Sequence, residues 1–82
     1  MEAYGYPRQQ EGDEPLELQE VSLRVTADEL DELIDFLTAV RAEMGERRGM
    51  RIGPAAAAHW HLRDHRPRGA PPAGVDVVVV EG

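Results

Sequence analysis

The stretch Thr26 to Met44, TADELDELIDFLTAVRAEM, constrains this chain most, because it is the one segment whose apolar residues recur at helical spacing over several turns. Leu30, Leu33, Ile34, Leu37, Val40 and Met44 predict a single apolar stripe, with Phe36 at its margin and Leu33 and Leu37 at the centre of the core. Thr26 with Glu29 three residues on predicts a capping box, each side chain satisfying the other residue's backbone amide. Asp28, Glu29, Asp31 and Glu32 crowd the first turns, where the helix dipole favours negative charge. Gly45 stands where a left-handed C-terminal residue belongs, so the helix is expected over Ala27 to Met44. With one helix and 82 residues, everything else must be built against that stripe.

Residues 1 to 15, MEAYGYPRQQEGDEP, mix Gly, Pro, Gln and acids and predict a disordered, mobile tail. The single folded domain is expected over 16–82. Val21, Leu23 and Val25 alternate with Glu20, Ser22 and Arg24, the period of a half-buried strand, and Leu16 and Leu18 stand out of phase with them. After a Gly- and Arg-rich connection at 45–54, AAAAHWHLR alternates again and predicts a second strand. HRPRGAPPAG is a loop, and VDVVVV at 75–80, β-branched at all but one position, predicts a strand covered on both faces. The expected fold class is α+β, two layers, with one helix packed on a small three-stranded mixed sheet in the order strand, helix, strand, strand. The last strand is placed centrally in that sheet, and a meander-like order is the alternative. One helix covers one face of such a sheet, which leaves the other face open to a second copy or a partner protein.

Zero cysteines exclude disulfides, thiolate metal sites and thiol nucleophiles. No apolar run approaches the length of a membrane span, and the N-terminus lacks a basic region followed by an apolar one. A soluble cytoplasmic protein is therefore expected. The net charge of −7 is polarised: residues 1–20 and 21–46 each carry −5, whereas 47–82 carry +3. Such an excess of acid disfavours nucleic acid as a partner and favours encounter with a basic protein.

Two constellations bear on chemistry. His59 and His61 share a strand face about 7 Å apart and can share a metal, although polar and apolar alternation explains them without one. HWHLRDH departs from the His-x-His-x-Asp-His signature of metallo-β-lactamase-type hydrolases by one residue, which turns the following side chains to the opposite face, and that homology is rejected. Ser22 is the only serine, no base is placed beside it, and no phosphate-binding loop is present, so no enzyme and no cofactor is expected. The second constellation is acidic. Asp28 with Glu32 and Asp31 with Asp35 are like-charge pairs four residues apart that repel along the helix. Asp28, Asp31, Glu32 and Asp35 are the expected partner-binding residues, with an exposed solvated face as the plain alternative.

QEVSLRV, TADELDELIDFLTAV, AHWHLRD and VDVVVV together resemble the small immunity proteins of bacterial polymorphic-toxin systems. The resemblance spans residues 16 to 82. It implies a short acidic cytoplasmic domain that neutralises a cognate toxin by stoichiometric binding. A small homo-oligomeric regulatory domain, binding a ligand or metal at His59 and His61, is the alternative from a different class.

Overall fold

The computed structural model describes residues 1–8, 12, 14–49, 58–67 and 74–82. In chain order its elements are β1 (Ala3–Gly5), β2 (Leu16–Leu18), α1 (Ala27–Gly49), β3 (His59–His61), α2 (Leu62–His65) and β4 (Val78–Val80). The class is a small α+β arrangement, but the expected three-stranded sheet does not form. Among the described residues there are two separate two-stranded antiparallel sheets, β1 with β2 and β3 with β4.

The N-terminal sheet pairs Ala3 with Leu18, Tyr4 with Glu17 and Gly5 with Leu16. Part of the segment expected to be a disordered tail is thus a strand. Leu16 and Leu18, out of phase with the alternation that follows, belong to this local ladder. Pairing across so short a connection costs less loop entropy than pairing across the helix, which favours the local partner. Residues 20–25, expected to be the first strand of the main sheet, are instead exposed throughout and belong to neither sheet nor helix.

The second sheet pairs His59 with Val80, Trp60 with Val79 and His61 with Val78. Its register continues beyond the strands: the Glu81 amide donates to the Ala58 carbonyl at 2.9 Å, and the Leu62 amide to the Val77 carbonyl at 2.8 Å. The final strand is therefore antiparallel to its predecessor, as expected, but among the described residues it has no second strand beside it. Residues 62–65, expected to continue the strand and open a loop, form the single turn α2. The alanines of the expected second strand at 55–57 lie outside the described residues.

The core is the meeting of α1, α2 and β4. Phe36, Val40 and Leu62 are buried, at 2%, 4% and 8% exposure, and Leu33, Met44, Trp60, Val77 and Val79 pack against them. Relative to the expected stripe, α1 is rotated toward Phe36 and Val40. Leu30, Ile34 and Leu37 are exposed, and Leu33 is half-buried. Polar contacts account for the rotation. At about 100° per residue, Glu32, Glu43 and Arg47 lie on the side of α1 that holds Phe36 and Val40. Each is bonded to the sheet and turn below: Glu32 Oε1 accepts from Arg66 Nε at 2.5 Å, Glu43 from Trp60 Nε1, and Arg47 Nε donates to Glu81 Oε1 at 3.3 Å. Three long-range clasps thus orient the helix, and the largest apolar side chain on that face takes the core.

The expected capping box is present, with the Glu29 amide donating to Thr26 Oγ1 at 3.2 Å and the Thr26 amide to Glu29 Oε1 at 3.0 Å. These bonds hold the Glu29 carboxyl below its usual pKa. The C-terminal end differs from expectation, since α1 continues through Gly45 to Gly49. One glycine costs a helix about 1 kcal/mol, and Glu46, Arg47 and Arg48 are good helix formers beyond it. Among the described residues no helix is long and apolar enough to cross a membrane.

Candidate functional sites

The first surface is the acidic edge of α1. Asp28, Asp31 and Asp35 follow three- and four-residue spacing along one side of the helix, and all three are exposed. Among the described residues none of the three has an ion pair. Three described arginines of the second half pair with other carboxylates: Arg47 with Glu81, Arg63 with Asp76 at 3.9 Å, and Arg66 with Glu32. Glu32, expected to join the acidic face, is half-buried and tied to Arg66. A partner would reach it only in competition with that arginine. Exposed Leu30, Ile34 and Leu37 lie between the aspartates and the core stripe, so the acidic edge borders an uncovered apolar one. The sequence could not separate these leucines from the core, because one apolar spacing fits both faces.

The second surface is built on β3. Strand alternation puts His59 and His61 on one face, as expected, with ring centroids 5.2 Å apart and nearly edge to face. They line an open cavity of about 300 Å³ with Trp60, Asp64 and His65, floored by Phe36, Ala39, Val40 and Glu43 of α1. The His65 ring leans on Phe36, its centroid 5.8 Å away. His61 Nδ1 donates to Asp76 Oδ2 at 2.7 Å, and the Arg63 amide donates to Asp76 Oδ1 at 3.0 Å. Burial opposes ionisation of Asp76. The hydrogen bonds from His61 and the Arg63 amide, with the nearby charges of His61 and Arg63, outweigh it and hold the carboxyl below its usual value.

When the ring is neutral, an aspartate that accepts from Nδ1–H leaves His61 Nε2 as an acceptor or ligand atom. Asp76 was not singled out in the sequence because it lies fifteen residues from His61, across the long loop. What surrounds the pair limits its chemistry. Of the described hydroxyls, Ser22 is bonded to Glu20, Thr38 to the Ile34 carbonyl and Tyr4 to Glu2, Thr26 caps α1, and Tyr6 is exposed in the N-terminal region and does not line this cavity. Among the described residues no group of three or more His, Asp or Glu is placed to hold a metal ion. His59 and His61 are brought together, without a third donor.

Comparison with protein-family models, curated proteins and solved structures finds no match.

Proposed function

We propose that this protein is a non-enzymatic protein-binding module that captures a basic protein partner through the acidic edge of α1. On the resemblance described above, it is a cytoplasmic immunity protein that neutralises a cognate toxin domain by stoichiometric binding. The observation that supports this reading is that Asp28, Asp31 and Asp35 remain exposed and without an ion pair among the described residues, while Arg47, Arg63 and Arg66 are each held by other carboxylates. Their mutual repulsion does nothing for the helix and is relieved when a cationic surface covers it. Exposed Ile34, next to Asp31 around the helix, offers the apolar contact that a purely charged surface lacks. The alternative, a regulatory domain holding a ligand or metal at His59 and His61, has less support, since two imidazoles supply at most two donors.

The test is affinity capture from the native host, followed by binding kinetics at two salt concentrations. Exposed charges are screened over about 8 to 10 Å at physiological ionic strength, so association should slow with salt. The double substitution Asp31→Asn with Asp35→Asn should slow it further and leave folding intact. Recovery of the protein alone, or a partner indifferent to both salt and the double substitution, would count against the reading.

A further inference from the structure

Residues 20–25 are exposed and belong to neither sheet nor helix, although their sequence alternates as a strand does. Their backbone amides and carbonyls make no backbone hydrogen bond among the described residues; the nearest such bond, from the Leu30 amide to the Thr26 carbonyl, belongs to the helix start. Val21, Leu23 and Val25 are all exposed. The opposite face carries Glu20, Ser22 and Arg24, and Ser22 Oγ reaches Glu20 Oε1 at 3.5 Å, as expected for neighbours on one face. An unpaired strand of this kind is a template for another strand.

The segment is complementary to itself. Laid antiparallel on a second copy with Ser22 opposite Ser22, Glu20 of each chain faces Arg24 of the other, and Val21 faces Leu23 on the opposite side. The neighbouring register with the same side-chain parity, centred on Leu23, sets Ser22 opposite Arg24 and Glu20 opposite Thr26, with no charge pair. Charge therefore selects one register.

We infer that the protein forms a twofold dimer in which residues 19–25 of two copies pair as an antiparallel ribbon centred on Ser22. The occupant of the unpaired edge is a second copy of this chain. The dimer neither requires nor excludes the basic partner of α1, and each can fail without the other.

Light scattering on the full chain from about 10 to about 500 µM should show a concentration-dependent dimer of two 9.1 kDa chains. Glu20→Arg and Arg24→Glu each set like charges opposite one another twice per dimer and should weaken association about tenfold. The two substitutions together restore opposite charges and should recover most of that loss. Circular dichroism of α1 checks that each variant is folded. Since the chain has no cysteine, Ser22→Cys supplies a second readout: it should oxidise to a covalent dimer, whereas Thr38→Cys on the helix should not. A monomer at every concentration, a dimer unaffected by either single reversal, or Ser22→Cys that cross-links no faster than Thr38→Cys would each overturn the ribbon.

Discussion

Asp76 joins the segment before β4 to the end of β3 and the start of α2, its two oxygens accepting from His61 Nδ1 and the Arg63 amide. Both bonds are exposed, so water can replace the lost acceptor, and removing it costs about 0.5 to 1.5 kcal/mol. Asp76→Ala should therefore lower the urea midpoint. The pH dependence has a definite sign. Because the folded carboxyl titrates below its unfolded value, its contribution is fully present above the unfolded pKa and is lost as pH falls through the folded one. The deficit of Asp76→Ala should shrink on acidification through the carboxylate range, as followed by the helical signal in urea at several pH values. A deficit that stays constant with pH would mean that the carboxylate charge is not what matters.

Within α1, periodicity located the element but not its rotation. The capping box at Thr26 and Glu29 was legible because both partners lie within one turn, so local sequence carries the whole interaction. The buried face was not legible. It depends on Glu32 meeting Arg66, Glu43 meeting Trp60 and Arg47 meeting Glu81, pairs 17 to 34 residues apart that no local period encodes. Leu37, expected at the core, is 44% exposed, whereas Phe36, expected at its margin, is 2% exposed. The consequence is a contrast between adjacent positions. Phe36→Ala should cost about 3 to 5 kcal/mol, close to the whole stability of so small a domain. Leu37→Ala should cost about 1 kcal/mol or less, as exposed truncations do. Chemical denaturation of the two variants checks the orientation, and a larger loss at Leu37 would reverse it. The same limit applies to the histidines: their shared face was legible from alternation, and the Asp76 partner across the loop was not.

Among the described residues the apolar side chains are divided among separate structures, so no single core collects them. Phe36, Val40 and Leu62 hold α1 to α2 and the second sheet, while β1 and β2 pair with one another. The hydrogen bond from Arg8 Nη2 to the Gly74 carbonyl, at 2.6 Å, links the N-terminal region to the segment before β4. An exposed bond of that kind contributes about 1 kcal/mol. The β1–β2 sheet has three residue pairs, and a two-stranded sheet of that size has little stability of its own in water. Its formation is therefore expected to be nearly independent of the unit that contains α1. Deleting residues 1–15 removes β1 and Arg8 together but touches none of Phe36, Val40 or Leu62 and none of the three clasps along α1. The thermal midpoint of the helical signal should then fall by the equivalent of about 1 kcal/mol or less. A larger loss would mean that the N-terminal sheet supports the helix through contacts beyond the Arg8 bond, and that the two sheets fold as one cooperative unit.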